Sequence, residues 1–114
     1  METIAYKILT KQQMDVLEHQ GEFAGAPIDL SDGYIHLSTA AQVQETLDRH
    51  FAGQSDLWIA AVDLEALGDA VKWEESRGGA LFPHIYATLP LSVVIAWSEV
   101  HYEPDGTLRL PVAG

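Results

Sequence analysis

The chain has five histidines, and two of them sit beside hydroxyl side chains at strand spacing. His36 lies in Gly33-Tyr34-Ile35-His36-Leu37-Ser38-Thr39. On an extended backbone successive side chains alternate, so Tyr34, His36 and Ser38 share one face while Ile35 and Leu37 share the other. His84 and Tyr86 repeat the arrangement in Trp73-Glu74-Glu75-Ser76-Arg77-Gly78-Gly79-Ala80-Leu81-Phe82-Pro83-His84-Ile85-Tyr86. An imidazole next to a hydroxyl offers acid–base chemistry with a hydrogen-bond donor at hand. Arg77 precedes a glycine pair, so its guanidinium is the best anion contact, on a loop whose backbone can approach a ligand closely. Free N–H groups at a helix start near Ser38 would add a second anion-binding element.

Each motif alone has a structural explanation. Ser38 can cap a helix, His36 can satisfy a buried partner, Gly78-Gly79 can turn a hairpin, and Tyr86 can pack in the core. Two such pairs in a chain with so few imidazoles favour a site joining His36 and Ser38 to residues 77–86. His19 and His50 fall near helix C-termini and His101 on a strand end, which gives these three surface or stability roles. His36, His84 and Glu74 suit zinc chemically, but no local His-x-x-x-His pair supports a metal, and none is assigned. Ser38 lies on no Gly-x-Ser-x-Gly turn, so a hydrolase triad is not assigned either.

The elements that must position these residues are well punctuated. Ile4, Tyr6 and Ile8 alternate as in a half-buried strand. Thr10 and Gln13 form a capping box for a helix over 11–20 that points Met14, Val16 and Leu17 inward and stops at Gly21. Residues 22–33 are dense in turn formers and read as a loop. A brief strand over 34–37 leads to a helix capped by Ser38 or Thr39, with Val43, Leu47 and Phe51 on one face and Gly53 ending it. Residues 57–62 form a continuous apolar run, predicting a central strand covered on both faces. A helical turn over 63–67, a weak strand over 71–73, a polar turn over 74–79 and strands over 85–89 and 93–102 follow, with a terminal hairpin through Pro104-Asp105-Gly106 into 107–110. Two early helices and a mostly antiparallel small sheet predict an α+β fold.

At 114 residues and 47% hydrophobic content the chain suits one domain spanning 1–114. Six Lys and Arg against seventeen Asp and Glu give a net charge of −11. That charge disfavours extended nucleic acid and anionic membranes, although one phosphate in a local basic pocket is compatible with screening over roughly 8 to 10 Å. A small-molecule ligand is the expected partner, and a protein partner is undetermined. There is no cysteine. No apolar run matches a signal peptide or a membrane span, so a reducing cytoplasm is the expected location.

With these residues in hand, the chain is identified as a member of the family called domain of unknown function 952. The match runs through Tyr6-Lys7-Ile8, the 33–39 motif, Arg49-His50-Phe51 and residues 77–86. More remotely it resembles the ADP-ribosyltransferase superfamily, and within it the tRNA 2′-phosphotransferases that use NAD. His36-Leu37-Ser38 matches their His-Leu-Ser strand, Arg49-His50 is similar to their Arg-His, and Tyr86-Ala87-Thr88-Leu89-Pro90 is similar to a later strand. The resemblance implies an ADP-ribosyltransferase-like fold with NAD as cofactor and ADP-ribosyl or other group transfer as activity. In that frame Lys7 and Thr10 face the cleft, Arg49 and Arg77 neutralise an anion, and His36 bonds a ribose or acts as acid or base. Tyr86 stacks or donates, and Glu74 substitutes for the orienting Glu. The first strand departs from the pattern, with Lys7-Ile8-Leu9-Thr10 in place of His-Gly-Ser or His-Gly-Thr, so the cofactor is left open. The alternative is a non-catalytic interaction module on a degenerate form of that fold, its three Trp supplying a partner surface.

Overall fold

The computed structural model describes residues 2–111, apart from the side chain of Arg77. It shows a small α+β fold in which eight strands form three small antiparallel sheets rather than one. The first sheet has β4 (Leu57–Asp63) between β1 (Ile4–Thr10) and β8 (Val94–Glu99). The run 57–62 is thus central, as its sequence predicts. Both its faces are covered because it lies between two apolar clusters. Ala60 and Val62 pack with Leu9, Met14 and Leu17, whereas Leu57 and Ile59 pack with Ile8, Val43 and Leu47.

Helix α1 (Lys11–Gln20) starts on the reciprocal box read from the sequence: Thr10 Oγ1 accepts from Gln13 N at 3.2 Å, and Gln13 Oε1 accepts from Thr10 N at 2.9 Å. It ends at Gly21, which adopts the left-handed conformation at φ 78°. Met14 and Leu17 are buried, but Val16 is 37% exposed. Positions 14 and 17 are three apart and share a face, whereas 16 is rotated roughly 160° from 14 and points outward.

Residues 22–33 are not an irregular loop. They hold the two-residue strand β2 (Glu22–Phe23), paired with β7 (Leu89–Pro90), and a short helix α2 (Pro27–Asp32). Pro27 fits the first helical turn, where its missing N–H is not needed. Asp29 serves the same end, accepting from Ala26 N at 2.8 Å. Gly25 is obligatory before it, since a Cβ there would lie 2.9 Å from the Asp29 Cβ. Gly33, at φ 89°, closes the helix.

The third sheet sets β6 (Leu81–Ile85) between β3 (Ile35–His36) and β5 (Val71–Glu75). The strand expected over 85–89 therefore sits earlier, with Pro83 inside it, and the chain re-enters pairing at β7. Beyond β3 the chain stitches two sheets together. Leu37 N donates to Pro83 O at 3.0 Å, and Tyr6 and Ser38 exchange backbone bonds of 2.7 and 2.9 Å. Helix α3 (Val43–His50) begins four residues later than a Ser38 cap requires and three later than a Thr39 cap requires, with Gln42 as its N-cap. α4 (Leu64–Leu67) is the turn expected after β4, capped by Asp63. The terminal hairpin is reduced to one bridge, Tyr102 to Leu108. Among the described residues, no helix is long and apolar enough to cross a membrane.

The Thr10 cap predicts a modest, measurable loss. Thr10→Ala should lower unfolding free energy by about 1 kcal/mol with an unchanged m-value in urea. A loss under a few tenths would show that α1 is held by packing alone.

Candidate functional site

The junction of the first and third sheets encloses a cavity of about 390 Å³. Its apolar wall includes Tyr6, Ile8, Ile28, Leu37, Phe51 and Phe82, and its polar lining includes Lys7, Thr10, Ser38, His36 and His84. Register explains why the two imidazoles meet: His36 pairs directly with His84 across β3 and β6, which puts both on one face. Their ring centroids are 5.4 Å apart, edge to face. Tyr34 covers both, stacked on His84 at 4.1 Å and tilted against His36 at 4.7 Å.

The two histidines differ in what their nitrogens do. His36 Nδ1 lies 2.6 Å from Asp29 Oδ1, and its Nε2 lies 2.9 Å from Asp32 Oδ2. Both nitrogens are thus engaged by carboxylates. His84 Nδ1 lies 2.7 Å from Glu74 Oε1, and among the described residues no group bonds its Nε2. The same Glu74 oxygen accepts from Tyr86 Oη at 2.8 Å. The bonds from His84 and Tyr86 hold the Glu74 carboxyl below the usual carboxylate range, and the same contact pushes the Tyr86 phenol up. A carboxylate only accepts, so Nδ1 carries the proton toward Glu74 and Nε2 presents a lone pair in the neutral ring.

Beneath the imidazoles lies a buried ion pair. Lys7 Nζ is 2.9 Å from Asp29 Oδ2, with side-chain exposures of 7% and 1%. Burial pushes the Lys7 amine down, against the opposing pull of Asp29. Burial pushes the Asp29 carboxyl up, but the bonds from His36 and Lys7, the Lys7 charge and the Ala26 amide outweigh it and hold it at about 2. Asp29 read as a turn residue in the sequence. Its signal was its place three residues after Ala26, just inside a Pro-started helix, but nothing local marked it as buried.

The other expected site residues divide. Thr10 lines the cavity while its hydroxyl caps α1. Ser38 lines it too, but its hydroxyl meets Thr46 Oγ1 at 2.8 Å instead of capping a helix, so the expected anion-binding helix start is not beside it. Tyr86 is 47% exposed at the outer edge of the His84 pair. Arg49 lies on the exposed side of α3, paired with Glu45 at 3.1 Å and apart from the cavity. Residues Arg77–Gly79 form a 3₁₀ turn beside the cavity-lining Ser76; the Arg77 side chain lies outside the described residues. His50, given a surface or stability role from the sequence, is exposed at the end of α3 and also lines the cavity. Among the described residues no group of three or more His, Asp or Glu is placed to hold a metal ion.

Comparison with known proteins fits this architecture. The protein CC0527 from Caulobacter crescentus is similar in its X-ray crystal structure, at 45% identity over 94% of each chain with a TM-score of 0.84. Its solution NMR structure gives 46% identity over 92% of this chain and 90% of that one, with a TM-score of 0.78. No curated protein matches.

Asp29 yields a pH prediction. Its folded pKa of about 2 lies below the ordinary 3.8, so its contribution to stability is full above about pH 4 and is lost as pH falls toward 2. Asp29→Asn should remove up to about 2 kcal/mol at pH 7 and flatten that acid limb in urea titrations. Asp29→Ala should cost more, about 3 to 5 kcal/mol, because Lys7, the Ala26 amide and His36 are then left with no acceptor at that position. An unchanged acid limb in the Asn variant would refute this assignment.

Residues 8–97 match the family described as Protein of unknown function (DUF952), and the chain belongs to that family.

Proposed function

We propose that the cavity is a small-molecule site at which His84, oriented by Glu74, transfers a proton to or from the ligand. One observation carries this reading: His84 is held through Nδ1 while its Nε2 meets no partner among the described residues and its ring lines the cavity. An oriented imidazole with one nitrogen available is the arrangement of a general base. His36 has the complementary role. With both nitrogens held by carboxylates, it fixes β3 against α2 and supports the Tyr34 cover over His84.

The phosphorylated or nucleotide-like ligand expected from sequence loses two of its supports, because Arg49 is on the exposed side of α3 and the helix start is not at Ser38. NAD-dependent ADP-ribosyl transfer is not favoured either. Lys7 stands where such enzymes place a cofactor-binding His, and its ammonium is committed to Asp29. A second reading, an interaction module, draws on Ile95 and Trp97, two residues apart on the edge strand β8 and 37% and 39% exposed. Trp58 and Trp73 instead pack against the core.

Proton transfer is testable without knowing the physiological substrate. The base takes a proton from a C–H, the electron pair stays on the ligand, and return of a solvent deuteron labels the carbon. Fragments that shift cavity amides in NMR should include carbon acids whose deuterium incorporation the protein accelerates. His84→Gln should reduce that acceleration about 100-fold or more, and Glu74→Gln less. Binding with exchange equal in wild type and His84→Gln would contradict the catalytic part of the proposal, and no binding at the cavity would contradict the whole.

A further inference from the structure

Lys7 lines the cavity from the middle of β1 with its ammonium almost wholly withdrawn from water. An ammonium has three N–H donors and no acceptor. One is directed to Asp29 Oδ2 at 2.9 Å and one to the His36 carbonyl oxygen at 3.1 Å. Among the described residues nothing takes the third. The third N–H is the donor that Lys7 has left to offer a ligand entering the cavity with an acceptor.

Charge selects the kind of acceptor. The contact with Asp29 neutralises Lys7, and Asp29 itself already accepts from Ala26 N, His36 N, His36 Nδ1 and Lys7. An entering anion would give up its hydration beside the Asp29 carboxylate, which lines the same wall, inside a chain carrying −11. An uncharged oxygen accepts the same N–H with far less to desolvate. Ile8, Leu37, Phe51 and Phe82 are placed to cover an apolar body.

We infer that the ligand is an uncharged carbonyl compound, a ketone, ester or amide with an apolar body, whose oxygen accepts the third N–H of Lys7. The inference rests on the cavity being a small-molecule site and names the class it takes. Three probes with one phenyl body separate the alternatives: acetophenone, benzoate and phenyl phosphate, each titrated by NMR into the wild-type protein and into Lys7→Met/Asp29→Asn. The double variant removes both charges together and so avoids stranding either one.

Acetophenone should shift the amides of Lys7, Leu37 and Phe82, show nuclear Overhauser contacts to the Lys7 Cε protons, and bind roughly tenfold more weakly to the folded double variant. Benzoate and phenyl phosphate should bind at least about tenfold more weakly than acetophenone to the wild type. Tighter binding of either anion at the cavity would overturn the carbonyl class while leaving the cavity reading intact. Acetophenone in the cavity without contacts to Lys7 would overturn the role of Lys7, a result readable in the wild type even if the double variant unfolds. Cavity amides unmoved by all three probes would overturn both readings.

Discussion

The carboxylate of Asp29 is the interaction on which the rest of this structure depends. Its two oxygens receive the Ala26 amide at the start of α2, the amide and ring of His36 on β3, and the Lys7 ammonium from β1. One side chain thereby joins three elements distant in sequence. Burying it is costly in isolation, and the opposing Lys7 charge together with the hydrogen bonds offsets that cost only because the geometry is complete. The cavity wall inherits this order. β1, α2 and β3 each contribute to it, and each is held at Asp29. The second carboxylate pair, His84 with Glu74, rests on the first through the direct pairing of His36 with His84 and the Tyr34 ring lying over both.

Local signals in the sequence were read well where local chemistry decides structure. The Thr10–Gln13 box, the Gly21 stop and the two-sided apolar run at 57–62 all depend on neighbours within a few residues or on hydrophobicity alone. The His36 and His84 motifs were legible as residue types on strands, and they do converge on one cavity. Their division of labour was not legible, because it is set by which carboxylates reach which nitrogens. Asp29 and Asp32 come from a segment whose Gly, Pro and Asp content resembles a loop. That same content makes a short helix once Pro27 occupies its first turn and Gly25 permits close approach to Asp29.

Other departures share a physical cause. Ser38 is a strong helix cap by type, but its backbone is taken up by Tyr6 in a strand-like bridge, so helix α3 starts later. His50 fits a helix C-terminus electrostatically, and only the packing of α3 against β1 brings it to the cavity. The single expected sheet breaks into three because β2, β3 and β7 are two residues long and pair with partners outside the β1-β4-β8 sheet. Sequence periodicity does not tell which partners strands that short take.

The central claim is that His84 is held by Glu74 through Nδ1 and offers Nε2 to the cavity. Nitrogen-15 chemical shifts of the His84 ring, read through long-range proton correlations, test this most directly. The account predicts a pyrrole-type Nδ1 and a pyridine-type Nε2 for the neutral ring, with that difference reduced in Glu74→Gln. A neutral ring protonated on Nε2, or a tautomer indifferent to Glu74, would contradict it.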